Sequence, residues 1–330
     1  MLKSGKHMSI LITGVAGFIG FHLARNMLEN GNHVVGIDNL NNYYDVQLKK
    51  DRLNLLQSFQ NFTFYKEDLI NQKPIVEICK TNQQIEYVIH LAQQPGVRYS
   101  IINPHSYIDN NITATLNFLE AVRNLKHLKN FIFASSSSVY GKEAKLPSSV
   151  LDATNTPSSF YATSKIASEA MCYNYHHLYN INMTILRFFT VYGPWGRPDM
   201  ALYSFASAIM EGKPIKLYNN GNLKRDFTYI DDIIAGINNI ICYNNYNYKV
   251  YNLGNHKSEE LLKFVQILEN SLGEKAIIEL APMQDGDMYE TFADITESKQ
   301  DFQFNPVTSI EDGIPKFASW FLKYKNYAKC

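Results

Sequence analysis

"SILITGVAGFIG", residues 9–20, is a short apolar run that turns abruptly into glycines. Such a run reads as a buried strand, a tight turn and the start of a helix. Gly14, Gly17 and Gly20 stand in a GxxGxxG spacing. Glycines there permit the tight turn and let a pyrophosphate approach the backbone. The helix N-terminus behind them offers free N–H groups and the positive end of a dipole. Three glycines alone also describe an ordinary strand–helix turn, so the flanking sequence carries the rest. "FHLARNMLENG" continues as a helix with Gly31 as its C-cap, and "HVVGIDNL" reads as a second buried strand ending in Asp38. A carboxylate at that strand end accepts hydrogen bonds from adenosine ribose hydroxyls and repels a 2′-phosphate. No arginine directly follows it, so the expected cofactor is NAD rather than NADP.

Outward from that turn, residues 62–69, 87–94, 130–141 and 182–193 each read as a strand ending in polar or small residues. Helical patterns separate them, among them 105–125 and 160–179. Strands alternating with helices predict a Rossmann-type, doubly wound parallel α/β sheet whose ligand lies beyond the C-terminal strand ends. The period breaks after residue 190, where Gly, Pro and shorter strands appear. The expected division is an NAD-binding domain of residues 8–187 and 228–256, and a smaller mixed α/β substrate domain of 188–227 and 257–330. "FTYIDDIIAGINNIICY" (227–243) reads as one more strand–helix unit, a candidate for return to the main sheet.

The bulk numbers exclude several classes. In 330 residues Lys+Arg and Asp+Glu are equal at 31 each, so there is no overall basic field for nucleic acid or an anionic membrane. An anionic ligand must be met by individually placed cations. Cys79, Cys172, Cys242 and Cys330 form no CxxC pair, so neither a metal site nor a disulfide framework is expected, and a reducing, cytoplasmic setting is. No apolar run approaches a membrane span, and no signal-peptide pattern is present. The polar opening "MLKSGKHM" reads as an extension ahead of a fold that starts near Met8.

Tyr161 and Lys165 form YxxxK. On a helix, residues four apart share one face. A lysine beside a tyrosine stabilises the phenolate and lowers its pKa from roughly 10, making a base usable near neutral pH. YxxxK is common by chance, but here it follows the serine-rich strand end "ASSSSVYG". A serine there could bind a substrate hydroxyl and pass its proton to Tyr161. Asp68-Leu69 is placed for an adenine edge, although a strand-end acid is otherwise simply solvated. In "FFTVYGPWGRPDMA" (188–201), Arg197 sits in a loop. It either awaits an anion or ties down its own loop through Asp199.

GxxGxxG, Asp38, SSSSVYG and YxxxK together resemble the extended short-chain dehydrogenase/reductases. The closer resemblance is to nucleotide-sugar 4-epimerases, the UDP-glucuronate 4-epimerases in particular. It is carried by "DNLNNYYD" (38–45), "GVRYS" (96–100), "RFFTVYGPWGRPDMA" (187–201), "RDFTYIDDI" (225–233) and "YNLGN" (251–255). The resemblance implies Tyr161 as base, Lys165 as its partner and a ligand to the nicotinamide ribose, and Ser136 as the hydroxyl-binding serine. It implies an NAD site of Gly14, Gly17, Phe18, Ile19, Gly20, Asp38, Asn39, Asp68, Leu69, Leu91, Ala92, Asn111 and Phe188, with Tyr161 and Lys165. It implies a UDP-sugar site of Arg98, Ser137, Ser138, Thr190, Arg197, Arg225 and Asp287, with Arg225 on the pyrophosphate and Asp287 in the nucleotide pocket.

The sequence also departs from that pattern. "HLAQQPGVR" stands where HLAAQAGVR is usual, Asp285-Gly286-Asp287 replaces Pro-Gly-Asp, and Ala114 replaces a common glycine. Gln93 is expected to perturb the nicotinamide side of the pocket, and Asp285 adds negative charge near the UDP. The implied reaction is C4 epimerisation of UDP-glucuronate through a 4-keto sugar. That β-keto acid can lose CO₂, so its carboxylate needs a restraining partner, with Arg197 the first candidate and Arg98, the strand-end serines or Thr190 others. A UDP-uronate decarboxylase, an epimerase of UDP-glucose or an N-acetylated uronate, and a non-enzymatic NAD-binding sensor are the rivals. A 4,6-dehydratase would carry an Asp-Glu pair where Ser137-Ser138 stands. The resemblance further implies a homodimer through helices 105–125 and 160–179, whose pattern core burial explains as well, and a role in supplying polysaccharide biosynthesis.

Overall fold

The computed structural model describes residues 7–142, 144–243, 247–284 and 288–326. Its strands are β1 Ser9–Thr13, β2 His33–Ile37, β3 Phe62–Tyr65, β4 Tyr87–His90, β5 Asn130–Ser136, β6 Met183–Phe188, β7 Thr190–Tyr192, β8 Pro214–Leu217, β9 Lys224–Arg225, β10 Phe227–Tyr229 and β11 Tyr248–Leu253. β12 Glu259–Glu260, β13 Ile277–Leu280 and β14 Glu290–Thr291 follow. Seven of them form one sheet in the order β11-β6-β5-β4-β1-β2-β3, every pair parallel. This is the Rossmann-type doubly wound α/β sheet expected. β1, β4, β5 and β6 are buried along their whole length, as a parallel sheet covered on both faces requires.

The helices are α1 Phe18–Glu29, α2 Val46–Gln57, α3 Gln72–Thr81, α4 Val97–Ile102, α5 His105–Tyr107, α6 Ala114–Val122, α7 Phe160–Tyr179, α8 Ala201–Met210, α9 Ile230–Tyr243, α10 Leu261–Leu272, α11 Thr296–Phe302 and α12 Ile310–Tyr324. One apolar core joins α3, α6 and α7 to one face of the sheet, through Ile75, Phe118, Phe131 and Cys172. The other joins α1 and α9 to the opposite face and continues unbroken into the C-terminal half through Phe227, Phe264 and Phe317.

Three expectations change in detail. The predicted strand 182–193 splits at Phe189, whose N–H bonds Leu253 O (3.1 Å) while the next N–H, of Thr190, turns to Asp226 O (3.1 Å). β6 therefore stays in the main sheet and β7 leaves it to pair with β10. Residues 227–229 consequently do not return to the main sheet; α9 carries the chain back and β11 makes the return beside β6. The predicted helix 105–125 is helical over 105–122 but not one regular α-helix, because a π-helical turn, Ile108–Thr113, lies between α5 and α6. The smaller sheets, β10–β7, β12–β9–β14 and β13–β8, all belong to the second half of the chain. No helix among the described residues is long and apolar enough to cross a membrane.

Candidate active site

The C-terminal ends of the main-sheet strands open into one cleft of about 420 Å³. At one end stands the glycine turn. Gly14 has φ +71°, and a Cβ there would lie 2.9 Å from Ala92 N; a Cβ on Gly20 would lie 2.2 Å from Gly14 O. Side chains are excluded at both positions. α1 starts behind the turn with no side-chain cap and no acid in its first turn, leaving N–H groups and a positive dipole end for an anion. Phe18 and Ile19 line the cleft beside Gly14, Gly17 and Gly20.

Asp38 closes β2. Its Oδ2 accepts from Ala16 N (3.0 Å) and its Oδ1 from Leu40 N (2.8 Å), so the carboxylate braces the turn while lone pairs remain for a hydroxyl. Burial raises its pKa, against those two N–H groups and the nearby Lys49 and Arg52. Asn39 Nδ2 donates to Asp68 Oδ2 (2.9 Å), which brings the ends of the second and third strands together. Both residues, Leu69, Leu91 and Ala92 line the same cleft. A cradle that only glycine fits, an uncapped helix N-terminus and a strand-end carboxylate form a donor set suited to a dinucleotide with a free 2′-hydroxyl.

The reacting end lies across the cleft, where Ser136, Ser137, Ser138, Tyr161, Lys165, Phe188 and Thr190 all line the wall. β5 ends at Ser136 and a short 3₁₀ turn carries Ser137 and Ser138. Ser159 caps α7, its hydroxyl accepting from Ala162 N, and so sets Tyr161 in the first turn. Burial raises the Tyr161 pKa, opposed by a hydrogen bond with Ser136 and the charge of Arg197.

Lys165 lies beside Tyr161 on α7, its Nζ over the Tyr161 ring at 5.7 Å from the ring centre, and it also donates to Ala134 O (2.7 Å) and to Gln93 Oε1. Burial pulls its pKa down to about 7, with Glu169 working against the fall and Arg197 adding to it. One turn below, Glu169 pairs with Arg187 (2.8 and 3.0 Å) and accepts from Ser135.

The segment after β7 forms the third wall. Arg197 and Met200 line the cleft. Arg197 makes a bidentate pair with Asp199 (Nε 3.0 Å, Nη2 2.7 Å), and Tyr43 OH donates to the same carboxylate (3.2 Å). The loop-tying bond is therefore present, and Nη1 of Arg197 has no partner among the described residues. The loop itself is clamped from behind. Arg52, fully buried, donates to Ala16 O (2.9 Å), Tyr44 OH (2.8 Å), Trp195 O (2.5 Å) and Gly196 O (3.2 Å). His22 Nε2 bonds Pro194 O (2.8 Å).

Three expected site residues, Asn111, Arg98 and Arg225, do not line the cleft. Asn111 is fully buried and lies behind the wall, because the π-helical turn points it at its neighbours: Oδ1 accepts from Gln94 N (2.7 Å), and Nδ2 donates to Gln94 O (3.1 Å) and Ser164 Oγ (2.9 Å). It braces the cleft from within. Arg98 does not line this cleft; its guanidinium stacks 4.6 Å from the Tyr218 ring centre. Arg225 on β9 donates to Lys224 O (2.8 Å) and Tyr289 O (3.1 Å). Asp287 and Asp285 lie outside the described residues. No group of residues able to hold a metal ion occurs among the described residues. Sequence reasoning missed Tyr43, Arg52 and the grip of Gln93 on Lys165, since each depends on contacts between distant segments.

The pattern of the NAD dependent epimerase/dehydratase family matches residues 10–254. Protein CapI of Staphylococcus aureus is 45% identical over 334 residues, 96% of this chain and 99% of that protein. The UDP-glucuronate 4-epimerase of Thermodesulfobacterium geofontis is 42% identical over 311 residues, 94% of this chain and 95% of its own. Among solved structures, the UDP-glucuronic acid 4-epimerase of Bacillus cereus, in complex with UDP-glucuronic acid and NAD, superposes with a TM-score of 0.88 at 35% identity, covering 96% of this chain and 100% of that one.

Proposed function

The chain belongs to the NAD-dependent epimerase/dehydratase family, an enzyme with NAD as its cofactor, and on that premise we propose that it interconverts UDP-glucuronate and UDP-galacturonate. The reaction is an isomerisation at C4. One observation carries the reading: Tyr161, Ser136 and Arg197 line the same cleft as the glycine turn. Relatives and neighbours of that substrate class support it.

Bound NAD would supply a reversible hydride acceptor for C4. Gly14, Gly17 and the start of α1 would hold its pyrophosphate, Asp38 its adenosine ribose, and Asp68 and Leu69 its adenine side. Tyr161 takes the O4 proton and later returns it, with Ser136 bridging hydroxyl and phenol. Lys165 holds a ribose hydroxyl and biases the phenol toward ionisation. Arg197 turns its uncommitted Nη1 toward the sugar carboxylate, with Ser137, Ser138 and Thr190 completing that subsite. A held carboxylate cannot align for loss of CO₂, which separates epimerisation from decarboxylation. Arg225, with Arg98 and Asp287, serves the UDP end. In this reading the main-sheet portion, 8–187 and 228–256, is the cofactor unit, and 188–227 with 257–330 is the nucleotide-sugar unit.

Proton NMR of the purified protein with UDP-glucuronate and no added reductant tests the proposal. Signals of UDP-galacturonate should grow to a fixed ratio without accumulation of NADH, and Tyr161→Phe should lower turnover about 10²- to 10⁴-fold, the scale of general-base catalysis. A pentose product with CO₂ would establish decarboxylation instead. Turnover confined to UDP-glucose or an N-acetylated uronate would overturn the substrate and keep the chemistry.

A further inference from the structure

We propose that Gln93 is a positioning residue for Lys165: its amide fixes the place of the ammonium and favours its charged form through a buried hydrogen-bond chain anchored beneath the glycine turn. The inference rests on the reading of Lys165 as partner of the base.

The orientation of the Gln93 amide is set at the Lys165 end. An ammonium has three donors and no acceptor, so the group facing Lys165 Nζ is Gln93 Oε1. The amide NH₂ is thereby turned inward, where Gln93 Nε2 donates to Thr115 Oγ1 (3.1 Å). Thr115 Oγ1 lies 3.1 Å from His90 Nε2, and His90 Nδ1 lies 2.8 Å from Thr13 Oγ1. Thr13 Oγ1 in turn accepts from Leu91 N and Ala92 N, each at 3.2 Å. Thr13, His90 and Thr115 are fully buried, and the His90 ring packs against Phe118, with 4.9 Å between ring centres. Burial, with the Lys165 charge adding to it, pushes the His90 pKa down to about 3. A neutral imidazole has one donor and one acceptor, and either tautomer links the two threonines. Rotating the amide would set NH₂ against NH₃⁺ at one end, so the amide holds a single orientation.

That arrangement acts on Lys165. Glu169 and Cys172 face it from its own helix and favour the charge, while Arg197 across the cleft opposes it. Neutral His90 and the un-ionised phenol of Tyr161 also face it. Against burial, the two oxygens that accept from Nζ are those of Ala134 and Gln93. Ala134 supplies backbone, which no substitution removes; Gln93 supplies a side chain that lines the cleft. With two N–H groups so engaged, the third is left for a ligand hydroxyl.

The test is ¹³C NMR of lysine-labelled holoenzyme, with the Lys165 signal assigned by its absence in Lys165→Met. Loss of an acceptor to the charged form should lower the proton affinity of Lys165 about tenfold in Gln93→Ala, and a carboxylate should raise it in Gln93→Glu. The pH profile of kcat should move with it while KM for the UDP-sugar stays within about twofold. Thr115→Val, which removes the inner anchor and leaves the cleft wall intact, should shift the titration in the direction of Gln93→Ala and keeps the question decidable if that variant does not fold. An unchanged Lys165 midpoint in Gln93→Ala or Thr115→Val overturns the inference, whatever the activity. If wild type turns over no UDP-sugar, the functional reading falls, and the titration still decides the role of Gln93.

Discussion

At the scale of single residues, the site is built by burying charges beside neutral oxygens. Lys165 is the clearest case: burial lowers its pKa to about 7 from the 10.5 of an unfolded lysine. Between those values the unfolded chain binds a proton that the folded chain has released, so stability from this residue rises with pH. It is complete above the unfolded value and lost as pH falls to about 7. In the ligand-free protein, urea unfolding should show wild type gaining about 2 kcal/mol over Lys165→Met between pH 7 and 9. A difference that does not change with pH would mean that the ammonium is solvated in the folded protein. Tyr161 and Lys165 were legible from YxxxK, and Arg197 from its loop. That Lys165 also donates to Gln93 and Ala134 was not, because those partners arrive from the loop after β4 and from β5.

At the scale of elements, the 193–200 loop matters most. Trp195 holds φ +59°, a conformation that costs a non-glycine residue about 1–2 kcal/mol. Its ring is wedged between Phe21, Trp320 and Tyr324, with centres 5.2 to 5.4 Å apart. Arg52 grips its carbonyl and that of Gly196 while also holding Ala16 O in the glycine turn. One buried guanidinium therefore sets the distance between the cofactor turn and Arg197. Arg52→Met leaves the carbonyls of Ala16, Trp195 and Gly196 without this donor and should cost about 3 kcal/mol, the scale of unsatisfied buried acceptors. It should also narrow the preference for UDP-glucuronate over UDP-glucose in kcat/KM. Trp195 and Trp320 are the protein's two tryptophans, so intrinsic fluorescence reports the loop directly. An unchanged spectrum and unchanged preference would show that the loop keeps its place without Arg52.

At the scale of the whole molecule, helices α4, α6 and α7 carry apolar side chains that the chain itself leaves uncovered. Ile101, Ile102, Leu116, Tyr173 and Leu178 are among the exposed large hydrophobic residues. Exposed apolar groups gathered on neighbouring helices mark an association surface more often than scattered ones do. The expected state is a homodimer through this face. Sedimentation velocity at micromolar concentration should give a dimer, and Ile102→Glu with Leu116→Glu should shift it toward monomer. A wild-type monomer over that range would rule the dimer out and leave core burial as the sole meaning of the helical pattern.

The sequence by itself determined the strand–turn–helix at residues 9–20, the carboxylate at the end of the second strand, the parallel sheet and the placing of Tyr161 and Lys165 on one helix. These are local matters: short-range periodicity, glycine spacing and i,i+4 neighbours on one helix dictate them. Only the tertiary structure decided that the strand after Phe188 leaves the main sheet, that Asn111 is a brace rather than a wall, that Arg52 ties Ala16 to Trp195, and that Gln93 holds Lys165. In each case the partner is remote in sequence, and a buried donor or acceptor takes whatever group the packed fold brings within reach.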